Sequence, residues 1–190
     1  TESAVPVSTS DRTAQGTIYY ALYKHDKIAL YDGTRWKVYT FAEVSLVLTV
    51  TSGKNYDVFL YDNAGTLTLE LSAAWTTDTA RADAIARQDG VWVKSGTATR
   101  RLVGTIRASA ANVVEDSAAK RFVWNADNRV KRTLLRTGES TASWAYNSTT
   151  IRQANANTAN QVELVVGLAD DAVTMLVGVG VHITTQNTFG

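Results

Sequence analysis

Nucleophilic or acid–base chemistry would have to come from a short inventory, because His25 and His182 are the only imidazoles and cysteine is absent. A Ser-His-acid triad would need one of those rings between a hydroxyl and a carboxylate. His182 is opposite in phase to Val181 and Ile183 on an alternating segment, hence on its less apolar face. Both histidines are therefore expected at a surface or interface. Glu115-Asp116 and Asp170-Asp171 have the composition of an acid and base pair or of a divalent-cation site, but adjacent acids in turns are ordinarily solvated. The loop from Asp57 to Gly65 lacks the ligand spacing of an EF-hand. Glycines are scattered among turns with neither a phosphate loop nor a dinucleotide fingerprint, and Gly178-Val179-Gly180 lies inside a strand pattern. Asn147-Ser148-Thr149 fits the glycosylation acceptor pattern, which carries meaning only on a secretory route. No catalytic residue, metal or cofactor is expected, and the chain does not read as an enzyme.

Charge concentrates in one place. From Lys120 to Arg136, the side chains Lys120, Arg121, Arg129, Lys131, Arg132 and Arg136 face only Asp127, with Trp124 among them. Such a run suits phosphate, an acidic glycan or an acidic neighbouring subunit, with the indole as a stacking platform. Against that, Lys131 and Arg132 point to opposite faces of a strand, and Glu115, Asp116 and Glu139 are close enough to pair with the run across strands. Ordinary solvated charge is the first expectation here, a partner contact the second and nucleic acid the third. The formal net charge of +1 supplies no field that would gather nucleic acid or anionic lipid, so neither is expected as a partner. Tyr19, Tyr20, Tyr23, Tyr31, Trp36 and Tyr39 cluster early, and rings of this kind serve both β cores and binding surfaces. Burial in the core is expected for most of them.

Strands must position all of these groups. Val44 to Val50 and Val173 to Ile183 place an apolar side chain at every second position, the period of a strand over a buried face. Thr17 to Asp32 is a run of tyrosines and β-branched residues, and Asp32-Gly33 turns it into Trp36 to Phe41. Tyr56 to Tyr61 and Thr66 to Leu71 flank Asp62-Asn63-Ala64-Gly65, with Leu67, Leu69 and Leu71 pointing one way, which is the clearest hairpin in the chain. Only Thr79 to Gln88 reads as helical: it is alanine-rich, with Asp78 near its start, Arg87 near its end and Gly90 as a stop, and because it is short a loop is the alternative. Further strands are expected at Val91 to Lys94, Arg100 to Arg107, Val113 to Glu115, Lys120 to Trp124 and Arg129 to Leu135. Others are expected at Ser143 to Tyr146, Ile151 to Gln153 and Val162 to Gly167, with the polar tract Gln153 to Gln161 an exposed loop.

So many short strands in 190 residues predict an all-β fold, a two-sheet β-sandwich of jelly-roll type with at most one short helix; a barrel is the rival arrangement. Residues 1–16, small and polar and holding the only proline, Pro6, read as an N-terminal arm or linker, and residues 17–190 as one sandwich domain. No apolar run approaches the ~20 residues needed to span a bilayer, and Thr1 to Gln15 lacks the basic-then-apolar order of a signal peptide. A soluble chain is expected. Without cysteine, its stability must come from packing or assembly.

The ordered succession Ile28 to Gly33, Lys54 to Tyr61, Gly65 to Trp75, Arg81 to Gly90, Val93 to Gly96, Arg100 to Thr105, Glu115 to Phe122 with Trp124-Asn125, and Arg152 to Asn155 resembles a family of tailed-bacteriophage virion proteins. These are structural or fibre proteins of environmental phages, and the resemblance extends from about Thr9 to about Ala172. The chain departs from the family pattern at Ala126-Asp127, where an aromatic pair is usual, and at Lys131, where a proline is usual. The resemblance implies a non-enzymatic virion structural protein, assembled in the host cytoplasm and displayed on the particle exterior. It would be a capsid decoration or fibre module, a homotrimer by analogy, that joins other virion proteins of the capsid or tail. On that reading the polar arm threads across neighbouring subunits, and Lys120, Arg121, Trp124, Arg129, Lys131, Arg132 and Arg136 form the partner contact. The alternative is a receptor-binding knob of a tail fibre recognising host-surface glycans through Trp36, Trp92 and Trp144. A depolymerase would need paired acids in a groove, which the spacing does not supply.

Overall fold

The computed structural model describes residues 1–21, 23–136, 139, 141, 144–145, 149–169 and 173–174. The first half of the chain forms β1 (Arg12–Gln15), β2 (Thr17–Tyr20), β3 (Lys27–Tyr31), β4 (Trp36–Thr40), β5 (Val44–Val47), β6 (Asn55–Asn63) and β7 (Thr66–Leu71). The second half forms β8 (Ile85–Gln88), β9 (Val91–Lys94), β10 (Thr97–Ala110), β11 (Val113–Asp116), β12 (Lys120–Arg121), β13 (Val123–Asn125) and β14 (Glu163–Leu164). A 3-10 turn at Ala154–Ala156 precedes the last of these. Among the described residues no helix is long and apolar enough to cross a membrane.

The 14-residue strand β10 is the hub. It pairs antiparallel with β6 on one edge and with β13 on the other at Gly104, Thr105 and Ile106, while its ends reach β9 and β11. Outward from these, β6 carries β7, β9 carries β8, and β11 carries β1 and β12, with β14 joining β12 in parallel. Two separate ladders, β2 with β5 and β3 with β4, complete the strands among the described residues. The period of two then divides the side chains between two faces. Tyr56, Val58 and Leu60 of β6, with Val103, Ile106 and Ala108 of β10, pack against Ile18, Ile28, Leu30, Leu48 and Val50 as the main core. The two ladders thus lie over one face of the large sheet, a sandwich-like all-β arrangement. On the other face Phe59, Leu102 and Leu168 make a smaller core, flanked by Ile85, Trp92 and Trp124.

Several turns form as their residues predict. β3 and β4 pair across Asp32-Gly33, and β6 and β7 across Ala64-Gly65. Ala64 and Gly65 have φ of 51° and 95°, the primed turn geometry that matches strand twist. Val44, Leu46, Leu48 and Val50 face the core as their alternation requires, while Val47, of opposite parity, is exposed.

The helix expected over Thr79 to Gln88 does not form. Asp89 and Gly90 adopt φ of 50° and 85°, so this Asp-Gly step is a two-residue hairpin turn joining β8 to β9, not a helix terminus. Upstream, Asp78, Arg81 and Asp83 bind Arg107, Asp57 and Lys94, pairings across the fold that outweigh the few tenths of a kcal/mol per residue of helix propensity. The run from Thr17 to Asp32 is two strands in different ladders, with the charged Lys24-His25-Asp26 between them. Lys120 to Trp124 is interrupted at Phe122, which is buried. Arg129 to Leu135 is not a strand, because the Thr133 carbonyl accepts from the Arg121 guanidinium and the Leu135 N–H donates to Ala118, occupying groups a ladder would need. Ile151 to Gln153 is not a strand either, and Ile151 stays exposed. The expected strands at Ser143 to Tyr146 and Val173 to Ile183 fall partly or largely outside the described residues, as do Asn147-Ser148, and Asp170-Asp171, Gly178-Val179-Gly180 and His182 fall wholly outside them. Within the polar arm, residues 12–15 pair with β11 as β1, and Ser3 and Ala4 donate to Glu43.

Candidate functional site

Charged and aromatic side chains gather in three clusters that burial separates. The parity that sends Val58 and Leu60 into the main core turns Asp57 to the opposite face, where it is fully buried. A lone carboxylate there would cost several kcal/mol, and the fold surrounds it with donors. Asp57 Oδ2 accepts from Arg81 Nε at 2.7 Å and Trp75 Nε1 at 3.1 Å, and Oδ1 accepts from Thr105 Oγ1 at 2.8 Å and Arg81 Nη2 at 3.2 Å. The Arg81 guanidinium lies 4.4 Å from the Trp75 ring centroid and also donates to the Gly167 carbonyl. A Cβ at Gly167 would collide with the Trp124 ring, so only glycine lets this segment close over the pair. The result is a clasp joining β6, the loop before β8, β10 and the chain near Gly167.

The basic stretch forms the second cluster, and much of it is internally paired. Asp116, 4% exposed, accepts from Arg121 Nη1 at 2.9 Å and Arg132 Nη2 at 3.2 Å. Lys120 lies 3.9 Å from both Glu115 and Glu163. The Arg129 guanidinium is 5.1 Å from the Trp124 ring, which itself packs on the smaller core. Glu139 turns elsewhere: the Thr141 and Asn160 side chains and the Thr141 N–H donate to it, holding its carboxyl at about 2. Arg129, Lys131 and Arg136 are exposed. Of the expected contact residues, Arg121 and Arg132 therefore meet at Asp116 and are turned inward, and Arg129 meets Trp124.

The three tryptophans expected to stack on sugars have different surroundings. Trp36 Nε1 donates to Asp89 at 3.0 Å and its ring leans on Tyr31. Trp92 is covered by the Arg87 guanidinium at 4.3 Å and packs on the smaller core. Trp144 is exposed and sits apart in sequence, between β13 and β14.

An open cleft of about 310 Å³ holds the third cluster. Tyr20, Tyr23, Lys24, His25, Lys27 and Phe41 come to it from β2, β3 and the chain around them; Arg101, Asn125, Asp127 and Asn128 come from β10 and β13. Asn125 Oδ1 accepts the N–H groups of Asp127 and Asn128 at 2.8 and 2.7 Å, a local turn that aims the Asp127 carboxylate. Asp127 then accepts from Arg101 Nη2 and from the Tyr20 hydroxyl, both at 2.9 Å. Arg101 Nη1 donates to the Ala29 carbonyl at 2.9 Å, while its buried Nε–H has no partner among the described residues. Tyr20 stacks on Phe41 at 5.4 Å, and burial followed by the Asp127 charge pushes its phenol well above the ordinary range. Tyr20, Arg101 and Asp127 were not expected as site residues. Two signals bear on them: Tyr20 belongs to the early aromatic cluster, and Asp127 is the lone acid of the basic stretch.

A second hollow, lined by Asn55, Asp78, Arg107, Phe122 and residues 162–166, has its charges matched by the Arg107–Asp78 pair at 2.8 Å. Among the described residues no group of three or more His, Asp and Glu is placed to hold a metal ion. No protein-family model, curated protein or solved structure matches the chain.

Proposed function

We propose that this is a non-enzymatic structural protein of a tailed-bacteriophage virion, an exterior capsid decoration or fibre module that forms homotrimers and joins other virion proteins. One observation carries the reading. The arginines of the body are largely committed to internal acids, whereas Val38 on β4 and Val47 on β5 stay 64% and 75% exposed on the outer strands. Apolar side chains left outward on both ladders suit a symmetric neighbour better than water. The family resemblance of the sequence supports the same reading, and Arg129, Lys131 and Arg136 are the part of the basic stretch presented to an acidic neighbour. Light scattering of the purified protein is expected to give a trimer, and Val38→Asp with Val47→Asp a folded monomer. A chain that stays monomeric at high concentration and ignores emptied capsids and tails would defeat the proposal.

A second reading, the receptor-binding knob of a tail fibre recognising host-surface glycans, is favoured by the cleft, where rings and hydrogen-bonding groups converge. Beside the tryptophans, it draws on Tyr20, Tyr23 and Phe41, which line the cleft. Glycan-array binding by the isolated protein tests it, and silence on the array combined with tight capsid binding would leave decoration alone.

A further inference from the structure

We infer that the cleft between Tyr23, Lys24 and Arg101 takes a carboxylated sugar, the uronic acid residue of a polysaccharide. The inference rests on the glycan-recognition reading and names its ligand class. Three features of the cleft argue for it together.

The first is charge. Lys24, Lys27 and Arg101 line the cleft against a single carboxylate, Asp127, whose two oxygens already accept from Arg101 and Tyr20. Lys27 has Asp26 at 3.2 Å outside that set. With Arg101 paired to Asp127 and Lys27 to Asp26, the positive excess of the cleft is that of Lys24, and it favours an anion. The second is ring surface placed beside the charge. Lys24 Nζ lies 5.5 Å from the centroid of the Tyr23 ring, and Tyr23 is 48% exposed. A ligand that fits this juxtaposition has an apolar C–H face and an anionic group one bond from it, as a hexuronate does. The third is hydroxyl recognition. The Asn125 carbonyl oxygen is occupied by the turn at Asp127, which leaves its amide nitrogen without a protein partner among the described residues and able to donate to a sugar hydroxyl. The cleft volume, about 310 Å³, lies at the small end of ligand pockets and suits one or two sugar rings.

Isothermal titration of the full chain with glucuronic and galacturonic acid tetramers tests this, with the neutral glucose and galactose tetramers and inorganic phosphate as separate arms. Saturable binding of a uronate tetramer, at least about tenfold tighter than its neutral counterpart, is expected. Lys24→Gln, an exposed change that leaves the fold intact, should weaken it about threefold, the scale of one solvent-facing ion pair, and Tyr23→Ala should weaken it further. Equal binding of neutral and acidic tetramers would overturn the uronate assignment while leaving glycan recognition standing. Silence from every sugar would overturn both. Full competition by phosphate, or uronate binding unchanged in both variants, would place the effect in nonspecific anion attraction and defeat the inference as well.

Discussion

Asp57 and Asp127 each hold an arginine beside an aromatic ring, yet the first pair is sealed beneath the chain at Gly167 and the second lines an open cleft. Both are carboxylate–arginine pairs; their access to water differs. Around Asp57, two nitrogens of Arg81, the Trp75 indole and the Thr105 hydroxyl occupy both oxygens, so nothing is left for a ligand. Around Asp127, the arginine and the Tyr20 phenol take one bond each, and cationic and aromatic neighbours stay accessible. A buried pair of this type holds elements in register, whereas a half-open one keeps capacity for a partner.

The largest expected break in that contrast is Asp57→Asn. It keeps the shape but leaves Arg81 without its counter-charge, and a loss of about 3 kcal/mol is expected by urea denaturation, the low end for a broken buried pair because Arg81 retains some water contact. A loss under about 1 kcal/mol would mean the clasp is not holding the sheet. Next is Gly167→Ala, which forces a methyl into the Trp124 ring and should cost about 1–3 kcal/mol, read as a lowered melting temperature.

Tyr20→Phe comes third, at about 1 kcal/mol for one hydrogen bond. It also has a pH signature. A phenol raised by burial and by Asp127 contributes stability that is complete below its unfolded value, about 10, and lost as pH climbs above it toward the folded value. The native protein should therefore lose stability above about pH 10 more steeply than Tyr20→Phe, and a late-ionising phenol should vanish from the alkaline absorbance titration of the variant. Equal alkaline slopes would refute the coupling. The smallest effect on stability belongs to Lys24→Gln, within about 0.5 kcal/mol, because the side chain is exposed. If that change unfolds the chain, the cleft is a structural element and the contrast with Asp57 collapses.

Strands and turns were the legible part of this molecule. The alternation of Val44 to Val50 assigns a face, and Asp-Gly or Ala-Gly steps between apolar runs assign hairpins, because both signals act within a few residues. The same logic fails at Thr79 to Gln88, where Gly90 reads as the stop of a helix but forms, with Asp89, the tip of a hairpin. The basic stretch shows the opposite limit. Its composition is plain in the sequence, but whether Arg121 and Arg132 meet water or Asp116 depends on how β11 and the chain after β13 approach each other.

By itself, the sequence determined that the chain is built of strands, where most of them turn and which side chains share a face, since side-chain parity and turn geometry are local properties. Tertiary structure alone decided that Asp57 would be sealed and Asp127 left open. Those pairings join residues 24 and 26 positions apart, and Tyr20 meets Asp127 across 107. Burial at such separations depends on which layers stack over which, and no short window of residues encodes it.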